Sequence, residues 1–237
     1  MSVYTVRRTL LSSDVDARRR LRLSSLFTML QEAAIAHTTA LGMSREKTLD
    51  KGLLWIITLQ ETRITRLPVY DEAVTLTSWP GQTMHLYFPR YSRLTDEAGN
   101  VLVENTSLWG LMDRKTRNLI FPEEHGIRIE PDPEDAPLFF PRAPKLPPLA
   151  ESGRFTVPYS YTDLNGHMNN TRYFDLAEDI MPPALREKEP AEIRNDYTAE
   201  AGEGTVIRLK TAAGEELFAA AGFGEKRLFR LMMTFRG

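Results

Sequence analysis

The sequence predicts an α+β protein made of two tandem units, each a helix wrapped by an antiparallel sheet. Three observations predict it. The hydrophobic period switches from that of a helix to that of strands, the same order of elements occurs twice, and a proline-rich stretch separates the two occurrences. A chain of 237 residues, 42% hydrophobic and 26% charged, suffices for two compact domains of roughly 100 residues each.

Tyr4 to Leu11 alternates as a strand. Leu23, Leu26, Phe27, Leu30, Ala33, Ala34, His37 and Leu41 then recur at i, i+3, i+4 and i+7, the pattern of one long amphipathic helix, with Gly42 as its stop. From Leu53 to Asp113 the period becomes that of strands, in runs around Leu54 to Thr58, Val74 to Ser78, Leu86 to Thr95 and Val101 to Met112. Turn residues such as Pro68, Asp71, Pro80, Gly81 and Asp96 to Asn100 separate them. Eight of the fifteen prolines fall between Pro122 and Pro148, which excludes a helix interior or a central strand. This places a first domain at 1–121, a linker at 122–150 and a second domain at 151–237. In the second, a strand is predicted at Arg154 to Tyr161 and a helix from about Asn170 to Met181, ended by Pro182 and Pro183. Strands follow near Glu192 to Thr198, Thr205 to Thr211, Glu216 to Phe223 and Arg227 to Phe235.

The chain has no cysteine, so disulfides, thiolate metal sites and a cysteine nucleophile are excluded. Thirty basic and 32 acidic residues give a net charge of −2, unlike a dedicated nucleic-acid binder. The N-terminus has no apolar signal core, and the longest apolar stretch, around Leu53 to Leu59, is below membrane-spanning length; a cytoplasmic protein is expected. Arg18, Arg19, Arg20 and Arg22 form the densest basic cluster. It fits either a solvated turn before a helix or a docking patch for an acidic partner.

Chemistry concentrates in Tyr161 to Tyr173. Asp163, Asn165 and His167 alternate, which in extended chain sends all three to one side, and Asn169 or Asn170 can cap the helix that follows. A carboxylate, an amide and an imidazole thus arrive at a helix N-terminus, whose free backbone N–H groups favour developing negative charge. Those parts suit hydrolysis of an acyl derivative; an Asn-rich capping turn with a structural histidine is the alternative. Asp163 and His167 lack a third metal ligand, and no dinucleotide loop or serine elbow is present, so neither metal nor cofactor is expected.

The run Asp163-Leu164-Asn165-Gly166-His167-Met168-Asn169-Asn170-Thr171-Arg172-Tyr173 resembles the D-x-N-x-H-x-N-N-x-x-Y signature of the acyl-ACP thioesterases, the plant plastid enzymes and their bacterial relatives. Leu30 to Ala34 with His37, Leu53 to Ile56, Thr77 to Trp79, Ser107 to Trp109 and Tyr197 to Gly202 are similar to further landmarks of that family. The resemblance implies two fused hot-dog domains acting as a pseudo-dimer, and a catalytic set of Asp163, Asn165, His167 and Glu200. Glu200 would serve as base or nucleophile, backbone N–H groups near Asn169 and Asn170 would hold the oxyanion, and the partner would be acyl carrier protein. That acidic protein would dock on Arg18, Arg19, Arg20, Arg22 and Arg172. Ala201 stands where plant members carry cysteine, so the thiol is dispensable or the activity is lost. Acyl-CoA hydrolysis, another hot-dog chemistry and a silent acyl-thioester sensor are the competing functions.

The repeat supplies an internal comparison. A shift of 147 sets Asp163 on Asp16, Phe174 on Phe27 and Glu178 on Gln31, but His167 on Arg20 and Asn165 on Arg18. Setting Val206 on Val74 puts Glu200 on Pro68. One site per chain is expected, with the first half supplying most of the acyl pocket, Trp55, Trp79 and Trp109 being candidates for its wall.

Overall fold

The computed structural model describes residues 3–129, 131 and 137–237. Its first half contains β1 (Tyr4–Thr9), α1 (Leu23–Ala40), α2 (Arg45–Asp50), β2 (Leu53–Ile64), β3 (Ala73–Pro80), β4 (Tyr87–Thr95) and β5 (Val101–Asp113). The second contains β6 (Ala150–Thr156), α3 (Arg172–Ile180), α4 (Pro183–Arg186), β7 (Pro190–Tyr197), β8 (Val206–Ala213), β9 (Leu217–Phe223) and β10 (Arg227–Phe235). The strands form one antiparallel sheet ordered β1-β3-β4-β5-β2-β7-β10-β9-β8-β6. From either end the order runs through equivalent strands, so the sheet carries a pseudo-twofold between β2 and β7.

Side-chain chemistry marks that axis. In the β2–β7 register Glu61 faces Arg194. The Glu61 side chain is fully buried and receives Arg142 Nη2 at 2.8 Å, Arg63 Nη2 at 3.2 Å and Arg194 Nε at 3.4 Å. Burial alone would raise its carboxyl, and the hydrogen bonds of Arg142 and Arg63 with the Arg194 charge more than offset this, holding it below the usual range. Arg142 belongs to the proline-rich stretch, which is therefore pinned to the axis. Its earlier part is packed as well, since Ile127 and Ile129 are buried with Leu53, Phe88 and Leu111.

Phe27 and Phe174, equivalent under the 147 shift, stack on one another with centroids 3.6 Å apart. A single apolar core surrounds them, drawing Leu26 and Leu30 from α1 and Leu176, Phe218 and Phe229 from the second half. The two helices differ in length. α1 runs for 18 residues and ends at Leu41, with Gly42 in the left-handed conformation at φ 82°. α3 has only nine, because Pro182 forces Met181 into extended backbone at ψ 142°. The helix expected from Asn170 is thus shorter, and Pro183 opens α4. The strand expected at Arg154 to Tyr161 lies earlier, at Ala150–Thr156, with Tyr159–Tyr161 in a 3-10 turn. α2, absent from the sequence reading, starts where Ser44 accepts a hydrogen bond from Lys47 N. No helix among the described residues is long and apolar enough to cross a membrane.

Candidate functional site

The turn before α3 is built by Asp163. Its Oδ1 accepts Asn165 N at 2.7 Å, its N–H reaches His167 O at 2.9 Å, and its carbonyl accepts Gly166 N at 2.9 Å. Gly166 takes φ 76°, a conformation glycine adopts freely. The turn then docks on the segment before β8: Met168 N donates to Ala201 O at 2.7 Å, and His167 bridges to Gly202. This contact brings Glu200 beside His167, with Nδ1 to Oε1 at 3.4 Å. The His167 Nδ1 is buried without a hydrogen-bond partner among the described residues. Desolvation, then the nearby Arg117 cation, depress the His167 pKa below its ordinary value, with Asp163 pulling the other way.

The first half reaches into this group. Arg45 Nη2, on α2, lies 3.0 Å from Asn165 Oδ1 and 3.4 Å from Leu164 O. Arg117, in the turn after β5, forms an ion pair with Glu200. Neither arginine was found from sequence, since the contacts join residues 120 and 83 positions apart and no local pattern marks them.

A cavity of about 910 Å³ leads away from the turn. At one end it is lined by Asp163, Asn165, Gly166, Asn169 and Asn170; α1 supplies Gln31, Ala34, Ile35 and Thr38, and the sheet supplies Trp55, Phe88 and Trp109. Trp79 is buried but does not line it. On its wall Arg90, 4% exposed, donates to His37 Nδ1 at 2.8 Å and Thr38 Oγ1 at 3.1 Å. Burial lowers the Arg90 pKa to about 10, still charged at neutral pH, so His37 must accept at Nδ1. A smaller cavity of about 260 Å³, walled by Arg45, Arg114, Arg117, Asn165 and His167, opens on the other side.

Several sequence expectations change. Asn169 N–H is taken by Tyr161 O at 2.9 Å, and its side chain accepts from Thr171 N. It therefore offers no free backbone donor, whereas Asn170 N–H has no partner among the described residues. Ala201 is buried in the core and lines neither cavity, so a thiol at that position would not stand in them. Glu200 is equivalent to Leu67, not Pro68: Leu21 N donates to Pro68 O as Met168 N does to Ala201 O, and Val206 matches Ala73.

The arginine cluster is engaged in contacts of its own. Arg18 and Arg20 hold Arg186 O at 2.9 and 2.7 Å, and Arg18 pairs with Glu187 at 2.7 Å. Arg22 Nε donates to Val15 O at 2.8 Å, and the Arg19 guanidinium sits 5.4 Å from the Tyr70 ring. Arg18 and Arg20 thus tie the first half to the end of α4, Arg19 and Arg22 make contacts within the first half, and none of the four lines either cavity. Arg172 is half-exposed, pairing with Asp175 at 2.8 Å beside Tyr161.

Residues 2–124 match the family described as acyl-ACP thioesterase N-terminal domain, and residues 148–225 match the acyl-ACP thioesterase C-terminal domain. An acyl-[acyl-carrier-protein] hydrolase of Cuphea viscosissima chloroplasts is 26% identical over 217 residues, covering 85% of this chain and 53% of that protein. A chloroplastic palmitoyl-acyl carrier protein thioesterase of Arabidopsis thaliana is likewise 26% identical, over 218 residues, with coverage of 85% and 53%. The chain thus spans about half the length of the curated relatives it matches. Among solved structures, an acyl-ACP thioesterase from Bacteroides thetaiotaomicron superposes with a TM-score of 0.84 at 22% identity, covering 99% of this chain and 98% of that one. The 12:0-ACP thioesterase from Umbellularia californica gives 0.81 at 21%, covering 100% and 98%. The architecture is the double hot-dog.

Proposed function

The chain belongs to the acyl-ACP thioesterase family, and on that premise we propose that it hydrolyses the thioester of a fatty acyl group carried on acyl carrier protein, releasing the free acid and the carrier thiol. The observation that carries the reading is the continuity of the site: one cavity has the polar turn at one end and Trp55, Phe88 and Trp109 along its wall. An acyl chain in the apolar part places its thioester carbonyl at Asn165 and Asn170.

Glu200, whose side chain is partly exposed, takes a proton from a water on its carboxylate, while His167 Nδ1 at 3.4 Å from Oε1 holds that carboxylate in place. The hydroxide adds to the carbonyl carbon, the oxyanion is received by Asn165 Nδ2 and Asn170 N–H, and collapse expels the thiolate, which takes up the proton. Each oxyanion donor of this kind contributes roughly 2.7 to 4 kcal/mol. Asp163 holds the turn and does not touch the reacting atoms. Arg172, exposed beside the turn, remains a contact for the acidic carrier protein, whose approach would weaken with salt.

The test is thiol release from a panel of acyl carrier protein thioesters, with the same acyl groups on coenzyme A alongside. Release from the carrier-protein substrates that vanishes in Glu200→Ala supports the reading; faster release from coenzyme A reassigns the partner, and binding without release makes the chain a sensor.

A further inference from the structure

We infer that two arginines of the first half, Arg45 and Arg117, position the amide and the carboxylate of the site in the second half. The inference rests on the hydrolytic reading above.

Asn165 is exposed, and among the described residues its side chain hydrogen-bonds only to Arg45. A primary amide presents an oxygen or an NH₂ group depending on a rotation that costs little by itself. A guanidinium can only donate, so at 3.0 Å it selects the Oδ1 end and leaves Nδ2 as the donor available to a carbonyl oxygen. Without Arg45, half of the rotations would present a carbonyl oxygen to the developing oxyanion.

Arg117 acts on the other residue. Asp113 builds its turn, with Oδ1 accepting Lys115 N at 2.9 Å and Thr116 N at 2.7 Å, and Arg117 closes it at φ 59° with its N–H on Asp113 O. The turn costs backbone strain at Arg117 and presents the guanidinium to Glu200. Glu200 is held through one oxygen, and its other oxygen faces His167. The charged groups around His167 are Glu200, Asp163 and Arg117, with Arg45 and Arg114 on the wall of the small cavity. Both positioning arginines are partly exposed and support no apolar core, so they add little to stability.

The experiment compares Arg45→Met, Arg45→Lys, Arg117→Met and Arg117→Lys with wild type by kcat, KM, Tm and an NMR titration of His167. Each Met variant is expected to lose about tenfold or more in kcat with KM within about twofold and Tm unchanged, and each Lys variant to recover part of the loss. Arg117→Met should also raise the His167 titration point and move the acid limb of kcat/KM to higher pH, because a cation that disfavours the imidazolium has gone. A kcat within about twofold of wild type in either Met variant, a change confined to KM, or an unmoved His167 titration overturns the positioning role. Failure of the hydrolytic reading looks different: wild type itself then releases no thiol, and the titration alone decides for Arg117.

Discussion

The turns at 16–22 and 163–169 have one backbone and two fates. In each an aspartate accepts the N–H two residues on, Arg18 N to Asp16 Oδ1 at 2.9 Å and Asn165 N to Asp163 Oδ1 at 2.7 Å. In each the residue three further on has positive φ, 66° at Arg19 and 76° at Gly166. Each then docks through an isolated bridge, Arg20 to Val69 and His167 to Gly202. The side chains carried on this frame diverge. Where the second half has Asn165 and His167 on cavity walls and Glu200 beside His167, the first has Arg18, Arg20 and Leu67, with the arginines spent on the carbonyls of α4 and Leu67 buried. The frame is therefore not the chemistry, and a carboxylate common to both turns is evidence for folding before catalysis.

The sharpest way to break the comparison is to remove the divergent residues on each side. His167→Ala and Glu200→Ala are expected to lower kcat by roughly 10²- to 10⁴-fold with Tm nearly unchanged, the range for a lost general base. Arg20→Ala should do the reverse, leaving kcat intact and lowering Tm, because it removes the bonds to Arg186 O and Lys188 O across the halves. Turnover measured with thermal unfolding separates the two patterns, and a shared pattern would dissolve the distinction between an active and a silent turn.

A second contrast lies one helix away. Gln31 on α1 lines the large cavity, whereas its equivalent on α3, Glu178, faces the silent turn with Asp16, Arg20, Arg22 and Asp175 around it. Desolvation, reinforced by Asp175 and Asp16, raises the Glu178 pKa from 4.5 to about 7. The sign follows from linkage: between those pH values the folded chain binds a proton that the unfolded chain does not, so this group's stability is full below pH about 4.5 and is lost as pH rises through 7. Glu178→Gln, which makes the two helices alike, should stabilise the protein at pH 8 by roughly 2 kcal/mol and leave it unchanged near pH 4. Denaturant unfolding at the two pH values checks this; equal effects at both would mean that the carboxylate is solvated.

What was legible in the sequence follows the same division. Period and punctuation announced α1, the strands and the proline stretch, because those signals are local. Asp163, His167 and Glu200 were found through a motif, and the structure brings the last two to 3.4 Å of each other. Arg45 and Arg117 were not, since each meets its partner only when the halves fold together. Charge density along the chain likewise did not reveal that Arg18 and Arg20 bond carbonyls at the end of α4, a contact that forms only on folding. The one-residue error in setting Glu200 on Pro68 came from matching Val206 to Val74 by type, where the register of β8 with β6 matches it to Ala73.

The smallest effect discriminates most finely between frame and chemistry. Asp16→Ala and Asp163→Ala each remove the acceptor that closes a turn, a loss of about 1 kcal/mol for an exposed side-chain to backbone bond. Asp16 also accepts from Arg20 N at 2.9 Å and meets its Nη2 at 3.3 Å, so its loss should be the larger of the two in stability. In rate the order inverts. Asp163→Ala lets the segment bearing Asn165 and His167 relax and should lower kcat by about tenfold or more, while Asp16→Ala, far from any reacting atom, should leave kcat within about twofold. Asp163→Asn keeps an acceptor for Asn165 N and removes the negative charge near His167, so it should restore the turn. It should also shift the acid limb of kcat/KM to lower pH, because Asp163 raises the His167 pKa. If Asp163→Asn were as slow as Asp163→Ala while folding like wild type, Asp163 would belong to the chemistry after all, and the likeness of the two turns would be confined to their backbone.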